Sequence, residues 1–143
     1  GIERFLSGTP SVLGCRALEG ALDVFDGVTM ADVRTKGTVL SQALISLVAE
    51  SVPLAGLRLV SPADPARRGS QVSFAHPEAY ALKEALIEAG VVGDFREPDL
   101  LRLGITPLYL RHVDIFDAVL RLEHTMTAEA YLDPRFRRRS KVT

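Results

Sequence analysis

The sequence predicts a mixed α/β domain in which two N-terminal helices precede a small, mostly antiparallel sheet with helices on one face. Three observations predict it. Apolar residues recur at helical spacing through residues 10–52. After Pro53 the chain changes to short runs that alternate polar and apolar residues. Those runs come in the order strand, strand, helix, strand, strand, helix, which favours one sheet layer covered by one helical layer.

Residues 1–9 read as a short strand or loop ending in Ser7-Gly8-Thr9-Pro10. Thr9 suits an N-cap and Pro10 the first helical position. The helix that follows carries Val12, Leu13, Leu18, Leu22 and Phe25, and Gly27 ends it. Thr29 caps a second helix, with Asp32 placed for a capping box. Val33, Leu40, Leu44, Leu47 and Val48 form its apolar stripe, and Pro53 stops it. Gly37 interrupts this helix at a cost of about 1 kcal/mol relative to alanine, and nothing in the sequence accounts for it. Neither helix has a sheet of its own nearby, so both are expected to pack on something upstream.

Leu57–Ser61 reads as a strand, and 62–69 as a polar, turn-rich loop. Gln71-Val72-Ser73-Phe74 alternates as a half-buried strand does. Pro77-Glu78 opens a helix, with Tyr80, Leu82, Leu86 and Ile87 apolar, that Gly90 closes. Val91-Val92 is expected to be a short strand, and Leu101, Leu103 and Ile105 mark another. A last helix from Val113 is expected to turn Phe116, Val119, Leu120 and Leu122 inward. The expected division is an end of a large-domain segment at 1–28, a connecting helix at 29–53, a small α/β domain at 54–132 and a basic tail at 133–143.

Composition narrows the function classes. The 143 residues are 47% hydrophobic and 24% charged, as in ordinary globular proteins. A net charge of −1 provides no global field toward nucleic acid or a membrane surface. No apolar run approaches the roughly 18 residues of a membrane span, and Gly1-Ile2-Glu3-Arg4 lacks the layout of a signal peptide. Cys15, the single cysteine, excludes an internal disulfide and fits a reducing compartment such as the cytoplasm. The first residue is not methionine, which agrees with a piece of a longer chain.

Two places carry candidate chemistry. At Ser7-Gly8-Thr9-Pro10, unpaired N–H groups at a helix start, an unobstructed glycine and two hydroxyls suit a phosphate; alternatively, Thr9 only caps its own helix. Arg102 lies on the face of its strand opposite Leu101, Leu103 and Ile105. A charge there needs a partner. The planar guanidinium matches a carboxylate through two parallel bonds, so it either binds a small acid or is an edge-strand arginine that lies in solvent or pairs with Asp94, Glu97 or Asp99. Tyr109, just beyond, either lines a site or packs in the core. Gly93–Pro98 reads as a salt-bridged loop or a substrate contact. His76 reads as a helix cap, His112 and His124 as surface residues, and Cys15 as a buried inert thiol. No histidine or cysteine has metal-ligand spacing. The run Arg135–Lys141 reads as a solvated tail or surface contact.

Several strings together resemble bacterial kynureninase: Arg4-Phe5-Leu6-Ser7-Gly8-Thr9-Pro10, Leu22-Asp23-Val24-Phe25, Arg68-Gly69-Ser70-Gln71-Val72-Ser73-Phe74, Gly93-Asp94-Phe95-Arg96-Glu97-Pro98, and Arg102-Leu103-Gly104-Ile105-Thr106-Pro107-Leu108-Tyr109. They occur in family order over nearly the whole chain, which corresponds to about the last third of such an enzyme. The resemblance implies the small C-terminal domain of an aspartate-aminotransferase-like fold. It implies a homodimeric, cytoplasmic, pyridoxal-phosphate-dependent hydrolase that converts L-kynurenine, or 3-hydroxykynurenine, to anthranilate, or its 3-hydroxy form, and L-alanine. It makes Thr9, with Ser7 and Gly8, the contact for the cofactor phosphate, and Arg102 the ligand of the substrate α-carboxylate. The family's cofactor lysine, its pyridine-pairing aspartate and its phosphate-side tryptophan all belong to an upstream large domain. Lys36, Lys83 and Lys141 do not match that lysine, so this chain alone is expected to be inactive and to lack bound cofactor. Two rival readings are a free-standing amino-acid-binding module and a structural or dimerising domain. A piece of an enzyme predicts exposed apolar residues on the first two helices; the free-standing module predicts a closed surface.

Overall fold

The computed structural model describes residues 1–5 and 7–138. Ser11, rather than Thr9, begins the first helix: its hydroxyl accepts from the Gly14 backbone N–H at 3.2 Å, and α1 spans Val12–Leu22. Pro10 therefore precedes the cap instead of occupying the first helical turn. Every described residue from Ser7 to Asp32 is exposed. Val12, Leu13, Leu18 and Leu22 thus lie open to solvent, as the reading of a piece of an enzyme expects. Cys15 is exposed too, not buried as expected, because α1 has no neighbour to cover it.

Helix α2, Met30–Glu50, starts at the expected capping box. The Thr29 N–H donates to Asp32 at 3.0 Å, and the Asp32 N–H donates to the Thr29 hydroxyl at 3.1 Å. Contrary to expectation, α2 packs on this domain's own sheet. Leu40, Leu44 and Val48 enter the main core. A short 3-10 turn with Pro53 at its start follows α2.

Four strands form one antiparallel sheet in the order β1-β2-β4-β3. β1 is Arg58–Leu59, β2 Gln71–Ala75, β3 Asp94–Arg96 and β4 Leu100–Gly104. β1 is short because Val60 and Ser61 both donate to the single Ser73 carbonyl, at 2.9 and 3.3 Å, which breaks the ladder. Val91-Val92 is not a strand; the strand lies just downstream, at Asp94–Arg96. Helices α3 (Ala79–Glu88) and α4 (His112–Thr127) join α2 in one layer. Val72, Phe74, Leu101 and Leu103 meet Leu40, Leu82, Leu86, Ile115, Val119 and Leu122 between sheet and helices. Phe116 and Leu120, expected inside, are 49% and 41% exposed, and Ile115 takes the inward position. A four-residue helix α5, Pro134–Arg137, places Phe136 against Ala81 and Ala85. Arg135 and Arg137 pair there with Glu88 and Glu78 at 2.8 and 3.0 Å, so this part of the basic run makes surface contacts.

The structure explains Gly37. A Cβ at this position would lie 3.0 Å from Cγ of Pro107 and 3.5 Å from the Ser70 hydroxyl. The glycine lets α2 approach the turn that follows β4. A Gly37→Ala substitution gains about 1 kcal/mol of helix propensity but forces a rigid ring aside, a type of overpacking that costs about 1–3 kcal/mol. The expected result is a net loss of about 1 kcal/mol in chemical denaturation. Adding Pro107→Ala should recover it, and a stabilised single variant would contradict the packing argument.

Candidate functional site

The sheet face turned away from the helices is polar. Directly opposed residues of antiparallel strands share a face, so the register groups Asp94 with Arg102, Arg102 with Ser73, Arg96 with Leu100, and Gln71 with Gly104. Arg58, opposite Ala75, lies at the far edge of the same face. This face carries three arginines, Arg58, Arg96 and Arg102, and one aspartate, Asp94, an excess of positive charge that suits an anionic ligand.

Arg102 is at the centre. Its Nε–H donates to Oδ2 of Asp94 at 3.0 Å, and its Nη2 donates to the same oxygen. Arg96 reaches that oxygen as well, with Nη2 at 3.3 Å. The side chains of Arg102, Asp94 and Arg96 are 26%, 48% and 61% exposed. Hydrogen bonding from Arg102 holds the Asp94 carboxyl below its ordinary pKa; desolvation opposes this, and the charges of Arg102 and Arg96 add to the lowering. Of the three internal partners weighed from the sequence, Asp94 is thus the one that pairs with Arg102. The pairing does not consume the guanidinium: arginine offers five N–H donors, and two point at Asp94. Gly93 sets up the geometry, since a Cβ there would sit 3.2 Å from the Arg102 carbonyl and 3.2 Å from the Leu103 side chain. A side chain there would crowd β4, and the glycine relieves that contact where the chain enters β3.

The other sequence-predicted site residues lie elsewhere. Ser7, Gly8 and Thr9 are exposed, and a Cβ on Gly8 would meet nothing within 4 Å. The structure does not bring them into a pocket with Arg102. The helix start expected directly after them lies at Ser11 instead. Lys83 does not offer a free amine, because it pairs with Glu84 and sits over the Tyr80 ring. Lys141 lies outside the described residues. Tyr109 is 71% exposed and not a core residue. It borders a cleft of about 440 Å³ with Leu103, Ile105, Leu110, Ile115 and Arg121. That cleft opens on the helical side and excludes Arg102.

His76 acts as a local cap, accepting from the Glu78 backbone N–H at 3.1 Å. Burial pushes its pKa down and the nearby Glu78 opposes this. Among the described residues, no cluster of His, Cys, Asp or Glu is arranged to hold a metal ion. No described helix is long and apolar enough to cross a membrane. Asp94 is named from the sequence as one of three internal partners for Arg102, but its place on a strand directly opposite the arginine was missed. The available signal was the alternation Asp94-Phe95-Arg96 around one apolar residue, which marks a strand and fixes which side chain faces Arg102.

A family model described as the kynureninase C-terminal domain matches residues 33–122, which include β1–β4, Asp94 and Arg102. Kynureninases of Burkholderia mallei and Burkholderia pseudomallei are 44% identical to the chain over all 143 residues. The kynureninase of Pseudomonas fluorescens is 41% identical over the same span. In each case the match covers 34% of the relative, so the chain spans about a third of the length of the curated relatives it matches.

Proposed function

The chain belongs to the kynureninase family, and from this we propose that it supplies the substrate-carboxylate clamp of an enzyme that hydrolyses L-kynurenine to anthranilate and L-alanine. The observation that carries the reading is Arg102: a guanidinium rooted in a central strand, on the charged face of the sheet, with donors left over after its bond to Asp94. Two parallel N–H···O bonds from that fork fix the α-carboxylate in position and orientation. Holding one end of the substrate so rigidly lowers the entropic barrier at the other. In the complete enzyme, pyridoxal phosphate would supply the electron sink at the α-carbon for hydrolytic cleavage of the bond between the β-carbon and the aryl ketone. Ser7, Gly8 and Thr9 contact its phosphate there, and a large domain bears its anchoring lysine. The complete enzyme works as a cytoplasmic homodimer. The open apolar side chains of α1 support a covering domain in that assembly.

The experiment is kinetic. Assayed alone with added cofactor, the chain is expected to produce no anthranilate. In the complete enzyme that carries it, Arg102→Ala is expected to raise KM for kynurenine about 10- to 100-fold, the range set by losing one charge-assisted bidentate contact. Arg102→Lys should fall between the two, because an ammonium keeps the charge and loses the fork. An unchanged KM in the alanine variant, or turnover by the chain alone, would refute the assignment.

A further inference from the structure

We propose that Asp94 is the positioning residue for the substrate carboxylate, fixing the plane and rotation of the Arg102 guanidinium so that its remaining edge meets the acid. This rests on the reading of Arg102 given above. Asp94 and Arg102 are direct cross-strand partners on β3 and β4, so the backbone ladder sets their spacing. A single carboxylate oxygen takes both Nε–H and an Nη2–H. Those two donors lie along one side of the fork, and a carboxylate held there stops rotation about the terminal torsions of a long side chain. The end of the fork, with one N–H each on Nη1 and Nη2, is left for a ligand. Arg96 draws on the same oxygen at 3.3 Å, which restrains Asp94 in turn. Ser73, buried to 8% exposure and opposite Arg102 on β2, bounds the other flank. The guanidinium is therefore held before any substrate arrives, and a preordered donor pair loses less entropy on binding.

A rival role has the opposite sign. If Asp94 merely occupied the arginine in place of substrate, it would compete, and its removal would tighten binding. The geometry favours positioning, because Asp94 takes the Nε side and not the end of the fork. The competing electrostatic benefit of removing one negative charge is modest for a half-exposed aspartate already shared between two arginines.

The test uses the complete enzyme that carries this chain, with Asp94→Asn, Asp94→Ala, Asp94→Glu and Arg102→Ala. Steady-state kinetics are measured on L-kynurenine and on its carboxamide, which is the same molecule without the charge that the fork reads. Asparagine is nearly isosteric but leaves one neutral acceptor where there were two charge-assisted bonds. Asp94→Asn and Asp94→Ala are expected to raise KM for kynurenine about tenfold, with kcat changed less than about twofold, and to erase about tenfold of the preference for acid over amide. Asp94→Glu should restore most of that preference. A merely structural residue would alter yield and melting temperature and leave the acid-over-amide ratio intact. A lower KM on removing Asp94 would overturn the proposal in favour of competition. An unchanged ratio in the Asp94 variants beside a raised KM in Arg102→Ala would overturn it while leaving the arginine's role standing. An unchanged KM in Arg102→Ala would overturn both.

Discussion

Replacing Phe74 by alanine is expected to destabilise the domain by about 3–5 kcal/mol, the range for deleting a buried aromatic side chain. Phe74 is 1% exposed on the central strand β2, paired across the ladder with Leu59 on one side and Leu101 on the other. Its ring fills the layer that Leu40 of α2, Leu82 and Leu86 of α3 and Leu122 of α4 also enter. No single helix can shift to close the gap without breaking contact with the other two. For a chain of this size the loss lowers the melting temperature by about 10 °C or more. Phe116→Ala provides the control. The same aromatic on α4 is 49% exposed, and its loss is expected to cost under about 1 kcal/mol. Thermal and urea denaturation of both variants measure the contrast; comparable losses at the two positions would mean that the core does not lie where the sheet and helices place it.

That contrast also shows where the sequence was legible. β2 and β4 were readable because polar and apolar residues alternate along them, with Val72, Phe74, Leu101 and Leu103 facing the helices. The capping box at Thr29 and Asp32 was readable because it is local. The inward face of α4 was not. Val113, Phe116 and Leu120 share one helical stripe, Ile115, Val119 and Leu122 another, and periodicity alone cannot choose between two apolar stripes. Burial of Cys15 failed for a related reason: an amphipathic helix says that a partner exists, not that this chain contains it. Gly37 was opaque because its cause, Pro107, is brought beside it only by tertiary packing. At the candidate site, the sequence put Arg102 on the correct face and named Asp94 among three carboxylates within reach. Strand register made the choice among them, and the sequence missed that register because the charged ends of Asp94-Phe95-Arg96 read as a loop.

Arg68→Ala is expected to cost about 3 kcal/mol, although it removes a charge that the fold pays to bury. Arg68 is 5% exposed. Its Nη1 donates to the carbonyls of Pro62 and Ala63 at 2.6 and 3.0 Å, and its Nη2 to Ser41 and Gln42 at 3.3 and 3.4 Å. No described carboxylate pairs with it, and its Nε is buried with no partner. Two effects oppose each other. Removing an uncompensated buried charge is favourable. Losing the stem leaves a void between α2 and the loop over 62–69, and frees a segment that, among the described residues, Arg34 also ties down through the carbonyls of Pro65 and Arg68. The penalty from stranded acceptors is limited, since Pro62 and Ala63 are exposed enough to be rehydrated and Ser41 keeps its bond to the Thr38 carbonyl. Packing and tethering therefore dominate, and Arg68→Met, which keeps most of the stem and discards the charge, should cost only about 1 kcal/mol. Denaturant midpoints of the two variants decide between the effects. If methionine is as damaging as alanine, the guanidinium's bonds to the loop carbonyls, not its stem, hold this segment. The segment runs directly into β2, whose Ser73 flanks Arg102, so a loosened loop in either variant is expected to raise KM for kynurenine in the complete enzyme, and more in alanine than in methionine.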